Sequence, residues 1–208
     1  MRIPSKRLRD RWLDAALPLV NELGWTAAMM DESASIAELS VDQQALAAGN
    51  GVSDLVAHFF ERAADNMRDK LRTVELDTLR THEKVAEGLY VWFEMLAPHR
   101  DAVEKAVGRG LMPWGAAGAV KTSWMIADAI WLEAGDTATD YNRQTKRLLL
   151  SAVIPPLILY WLNEPEDTAF RAEIARYLSR AMQAGQAGGK ILGPALDRLG
   201  SFVRPGRV

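Results

Sequence analysis

The sequence predicts an all-α chain: a helical bundle with a helix-turn-helix-like part at one end and an amphipathic helix at the other. Apolar residues recur at threes and fours over nearly the whole length. Period-2 alternation is not sustained anywhere, and Asn50-Gly51 does not join two β-branched runs. Glycines, prolines and small polar residues also fall where helices would begin and end.

Leu8, Trp12, Ala15, Ala16, Leu19, Val20 and Leu23 trace the first helix, and Gly24 offers its stop. A second helix is expected from Thr26 to Leu39. Ser40 suits the N-cap of a short third, with Asp42 and Gln43 in its first turn. Ala48-Gly49-Asn50-Gly51 breaks that helix, and Ser53 is expected to cap a long fourth reaching Thr73. Further helices are expected over Thr81–Leu96, Arg100–Gly108, Pro113–Glu133, Asp140–Asn163 and Asp167–Met182. Pro113 suits a first helical position. The pair Pro155-Pro156 should kink its helix, because two amide donors are missing. Gly185, Gly188 and Gly189 read as a hinge before an amphipathic segment from Lys190 to Arg204. Three parts follow: 1–50, a vestigial helix-turn-helix; 51–183, the bundle; 184–208, the glycine hinge and terminal helix.

At 208 residues with 49% hydrophobic content, the chain can bury a sizeable core. No cysteine is present, which excludes disulfides and thiolate metal sites. Leu148–Leu162 is the longest near-apolar run, and its fifteen residues fall short of the roughly 18 to 20 that a membrane span needs. Met1–Arg11 is charged and lacks the apolar stretch of a signal peptide. A cytoplasmic chain is expected, peripheral to the inner membrane if its tail binds lipid.

Charge argues against DNA as a partner. From Trp12 to Glu61 there is no Lys or Arg, while eight carboxylates give that window a formal charge of −8. A recognition helix needs cations to anchor phosphate. Here it reads Val41-Asp42-Gln43-Gln44-Ala45-Leu46-Ala47-Ala48, where Gln43 or Gln44 could read an adenine edge but nothing grips the backbone. The arm Arg2, Lys6, Arg7, Arg9 and Arg11 compensates only in part. No nucleic-acid partner is expected.

From Arg171 to Val208, seven cations against Glu173 and Asp197 leave a net charge of +5. On a helical wheel Ile191, Leu192, Ala195, Leu196, Leu199, Phe202 and Val203 fall within an arc of roughly 140°. Such a segment either packs on its own bundle or seats its apolar face in a membrane or another subunit. The glycines and basic polar face favour the membrane, through Ile191, Leu192, Leu196, Leu199 and Phe202.

Catalytic signatures are missing. His58, His82 and His99 stand apart, without Glu-x-x-His or His-x-x-x-His spacing, so no metal site is expected. No nucleophile elbow, phosphate loop or dinucleotide fingerprint occurs, and no carboxylate pair stands out. No cofactor and no enzymatic activity are expected. Seven tryptophans and an apolar stripe are distinctive instead. The stripe comprises Leu89, Trp92, Phe93 and Leu96, then Trp124, Met125, Ile130 and Trp131, then Leu149, Leu150, Val153, Ile154, Leu157 and Ile158. It reads either as plain core or, if the prolines hold helices apart, as the lining of a lipid-sized cavity.

The segment Ile130-Trp131, Ala134-Gly135-Asp136, Asp140, Asn142 and Thr145-Lys146-Arg147 resembles a known family. It is similar to the ubiquinone-biosynthesis accessory lipid-binding protein, the ninth Coq protein. The resemblance implies a TetR-like fold that has lost DNA binding, a homodimer, and a pocket for isoprenoid quinone intermediates or phospholipid. It also implies a terminal helix on the membrane and presentation of lipid to a di-iron quinone hydroxylase. The lipid-binding set is then Leu89, Trp92, Phe93, Leu96, Trp124, Met125, Trp131, Leu149, Leu150, Val153, Ile154 and Ile158. The partner surface is Tyr141, Asn142, Arg143, Gln144 and Arg147. Arg143-Gln144 stands where the family carries Trp-Tyr, a departure at the hydroxylase-binding patch. The alternative function is a ligand-responsive TetR-type repressor.

Overall fold

A computed structural model describes residues 4–108, 117–137 and 141–202. Side chains are described in these segments except at 4, 117–121, 141–142 and 186–202. The described chain is helical throughout: α1 (Pro4–Leu23), α2 (Ala27–Ile36), α3 (Val41–Ala47), α4 (Val52–Leu71), α5 (Thr81–Leu96), α6 (Arg100–Gly108), α7 (Ala117–Glu133), α8 (Tyr141–Trp161) and α9 (Asp167–Phe202). A 3-10 turn, Ala97–His99, joins α5 to α6.

The N-terminal unit forms by local rules. α1 buries Trp12, Leu13, Ala16, Leu17 and Val20, and Gly24 reverses the chain at φ +63°. Thr26 caps α2 by accepting from the Met29 amide at 3.1 Å. α2 stops at Ile36, short of the expected Leu39, because Glu38 turns left-handed at φ 51°. Leu39 N–H then donates to Ala34 and Glu38 N–H to Ser35, which closes a Schellman turn. Ser40 and Gln43 form a reciprocal capping box on α3. α4 begins one residue before the expected cap: Gly51, at φ +64°, holds the N-cap position and Ser53 falls inside the first turn. Asp54 accepts from the Asn50 amide at 2.8 Å and ties that turn down.

α4 is the central helix. It packs against α1, α5 and α7, while α8 lies between α7 and α9, and α5 also meets α9. One core cluster of buried apolar residues runs from Trp12 to Ile174. Its axis is a column of rings. Trp25 meets Phe59, Phe59 meets Phe60, Phe60 meets Trp92, and Trp92 meets Phe93. Phe93 then packs edge-on against Phe170 at 4.9 Å and beside Trp161 at 5.4 Å. Trp25 donates its indole N–H to the Ala102 carbonyl at 2.8 Å, pinning the start of α2 to α6.

The long C-terminal helices carry prolines and glycines inside them, as expected for the prolines of α8 and against the hinge expected at the glycines of α9. α8 continues as one helix across Pro155 and Pro156, with Val153, Ile154, Leu157 and Ile158 buried on either side. Packing of that face compensates for the lost donors. α9 likewise runs unbroken past Gly185, Gly188 and Gly189 to Phe202, so no hinge separates a terminal helix from the bundle. A glycine costs a helix interior about 1 kcal/mol, which a long helix with a packed first half absorbs. Pro113, Asp140 and the glycines between 109 and 116 lie outside the described residues.

Candidate functional site

The expected apolar stripe divides. Leu89, Trp92, Phe93 and Leu96 are fully enclosed. Trp92 and Phe93 belong to the ring column, and the Trp92 indole donates to the Phe60 carbonyl at 3.4 Å. The face of α5 that was expected to line a cavity is thus filled by side chains from α4, α8 and α9. Leu150, Val153, Ile154 and Ile158 are buried in the same core.

The remaining four behave differently. Trp124, Trp131 and Leu149 are half-buried and Met125 is exposed. Trp131 donates its indole N–H to the Lys146 carbonyl at 3.2 Å, and the Lys146 ammonium sits 5.1 Å from the same ring. Leu149 faces Gly185, where a Cβ would lie 2.6 Å from its δ carbon, so the glycine allows α8 and α9 to approach. Leu132, Leu148, Leu159 and Met182 join this outer apolar set. Sequence reasoning missed Leu148 and Leu159 because α8 is apolar on every side in this stretch, which leaves no face for periodicity to select.

A shallow cleft of about 280 Å³ opens between α1, α4 and the 3-10 turn, lined by Asp14, Leu17, Pro18, Asn21, Arg62 and His99. Arg62 is paired there with Asp14. Burial, then the nearby guanidinium of Arg62, hold His99 below its usual value. Four of its six lining side chains are charged or polar, so it does not suit a hydrocarbon chain.

The corner between α7 and α8 is the most organised charged site. Gly135, at φ +82°, ends α7 in a Schellman turn: Asp136 N–H donates to Trp131 and Gly135 N–H to Leu132. That places the Asp136 carboxylate beside the first turns of α8. Arg147 is 1% exposed, donating Nη1 to Asp136 at 2.7 Å and Nε to Asp128. Lys146 meets the other Asp136 oxygen at 2.7 Å, and Arg143 reaches Asp128 at 3.1 Å. Burial alone would raise both carboxyls, but the Arg147 guanidinium, with Arg143 at Asp128 and Lys146 at Asp136, outweighs it and holds them low. Arg147 Nη2 is buried without a hydrogen-bond partner among the described residues.

This corrects the expected partner surface. Arg147 is internal, its guanidinium paired with Asp128 and Asp136, so it offers no free cation at the surface. Gln144 is exposed and Arg143 half-exposed. The side chains of Tyr141 and Asn142, and those of Ile191, Leu192, Leu196, Leu199 and Phe202, lie outside the described residues.

The corner lies inside the segment that matches a known family. Residues 116–186 match the COQ9 family. This segment is similar to the COQ9 family's domain. The chain is 30% identical over 178 residues to "Ubiquinone biosynthesis protein COQ9, mitochondrial" of Xenopus tropicalis, covering 79% of this chain and 55% of that protein. It is 26% identical over 156 residues to the human protein of the same description, covering 72% of this chain and 49% of that protein. The chain therefore spans about half the length of these curated relatives. Among solved structures, a TetR transcriptional regulator from Nitrosomonas europaea superposes with a TM-score of 0.62 at 18% identity, over 84% of this chain and 98% of that one. The fold is TetR-like and all-α among the described residues, and its C-terminal half carries the COQ9 match. No helix among the described residues is long and apolar enough to cross a membrane.

Proposed function

We propose that this is a non-catalytic lipid-binding protein of ubiquinone biosynthesis. It would bind isoprenoid quinone intermediates or phospholipid and present them to a membrane-associated di-iron quinone hydroxylase. The COQ9 match across α7, α8 and the first half of α9 carries this reading, since the curated relatives are ubiquinone biosynthesis proteins.

The structure shapes the proposal. The enclosed rings of α5 belong to the core, so lipid contact falls on Trp124, Met125, Trp131 and Leu149, joined by Leu132. The exposed stripe Leu148, Ala152 and Leu159 on α8 fits a homodimer contact, an apolar face that a second copy would cover. Arg143 and Gln144 remain available to a partner enzyme. The basic, amphipathic terminal half of α9 supplies reversible attachment at the inner face of a membrane.

Two measurements test it. Lipid extracts of the purified chain should contain quinone precursors or phospholipid by mass spectrometry, and W124A/L149A should deplete them; extracts free of lipid in repeated preparations would remove the binding claim. Flotation on anionic vesicles should be lost in L196E/L199E, and equal flotation of variant and parent would take the tail out of the mechanism.

The TetR-like fold also favours a repressor as a second reading. Three features oppose it. Gln43 is engaged in the capping box, Gln44 donates to the Leu39 carbonyl at 2.9 Å, and no cation flanks α3. A discrete, sequence-specific complex in a gel shift at low salt would restore the repressor.

A further inference from the structure

We propose that the exposed face of α2 and α3 is a docking site for the basic C-terminal segment of a second copy of this chain. On α3, Val41, Asp42, Ala45 and Leu46 are exposed and fall within an arc of about 140°. Val41 is 79% exposed and Leu46 61%, and Ile36 at the end of α2 is 59% exposed. Large aliphatic side chains at these exposures on one small unit mark a surface made for contact. The unit is rigid, with a Schellman turn and a capping box fixing the two helices.

Its charge defines the occupant. Asp31, Glu32, Glu38 and Asp42 are exposed, and none makes an ion pair among the described residues. The chain has no Lys or Arg from Trp12 to Glu61 that could neutralise them. Aliphatic side chains with carboxylates around them complement a cationic amphipathic helix. Residues 186–208 have that chemistry: Lys190, Arg198, Arg204 and Arg207 against Asp197, with the apolar arc from Ile191 to Val203.

Geometry makes the contact intermolecular. α9 starts beside the ring column, where Phe170 meets Phe93, and that column leads to Trp25 at the start of α2. Fifteen residues later Gly185 lies against Leu149 in the middle part of α8, so α9 has by then run about 22 Å along its own axis. Among the described residues α9 packs on α8 and α5 rather than on α2 or α3, so the acidic face its terminal segment meets is a neighbour's. Docking requires only the amphipathic character of the segment. It shares one apolar arc with the membrane attachment proposed above, so lipid and acidic face compete for it.

A fluorescein-labelled peptide of residues 189–208, titrated with the full chain and read by anisotropy, tests the contact. Saturable binding is expected, weakened about tenfold when salt rises from about 50 to about 500 mM. D31N/E32Q/E38Q and V41S/L46S should each weaken it about tenfold, with circular dichroism showing both variants folded. Absence of binding, or equal affinity for parent and both variants, would overturn the proposal. Vesicles of phosphatidylcholine and phosphatidylglycerol should release the peptide from the protein; a ternary complex would also overturn it. A full chain that fails to float on such vesicles removes the membrane reading, while peptide binding would still sustain this one.

Discussion

The N-terminal unit and the α7–α8 corner handle charge in opposite ways. Around α2 and α3 the carboxylates of Asp31, Glu32, Glu38 and Asp42 stand in solvent without a cation. At the corner, Asp128 and Asp136 are gripped by Arg143, Lys146 and a buried Arg147. Unpaired exposed charge contributes little to folding and much to what the surface repels or attracts. Buried paired charge is costly to assemble and more costly to break, so it specifies geometry. Of the two, the corner lies inside the COQ9 match, which fits a domain recognised by how it holds its helices together.

Breaking the corner should produce the largest effect. Arg147→Met leaves two carboxylates without their shared partner and should cost about 3 to 5 kcal/mol in urea unfolding. Glu32→Gln, on the acidic face, should change stability by less than about 0.5 kcal/mol. Equal losses from the two would erase the contrast.

Acid titration sharpens it next. Asp128 and Asp136 are held low in the folded chain, against an ordinary unfolded value of about 3.9. Their contribution is therefore complete above that value and disappears as pH falls through the lower folded values. In that window the unfolded chain binds more protons, so wild-type stability should decline on acidification. Arg147→Met should show a shallower acid limb in the same unfolding series; an unchanged slope would detach the corner from acid stability.

Local caps give smaller effects. Ser40→Ala removes one half of the α3 capping box and should lower stability by about 1 kcal/mol, visible as a reduced midpoint in thermal unfolding. Glu38→Gly relieves a left-handed backbone and should raise stability by roughly 0.5 kcal/mol. A loss there would mean that the Glu38 side chain contributes more than its backbone costs.

Much of the fold was legible, because it rests on neighbours in sequence. Gly24 ends α1 and Ser40 caps α3 as expected. The misplacements have local causes: Glu38 adopts a conformation usually left to glycine, and Gly51 takes the cap expected of Ser53. The candidate site was less legible. Trp92 and Trp124 look alike as apolar helical residues, yet one is enclosed by Phe60 and Phe93 while the other is half-buried. Arg147 reads as a surface cation until Asp128 and Asp136 are seen to enclose it.

The order of residues alone determined the helical class, the stops and caps, the acidity of residues 12–61 and the basic amphipathic end. All are properties of composition or of spacing within one turn. The tertiary structure decided which apolar faces became core, that α9 runs through its glycines, and that Arg147 is a bolt rather than a contact. Those outcomes depend on atoms distant in sequence sharing one volume. A charge or a ring takes its role from what surrounds it, and those surroundings exist only once the helices have packed.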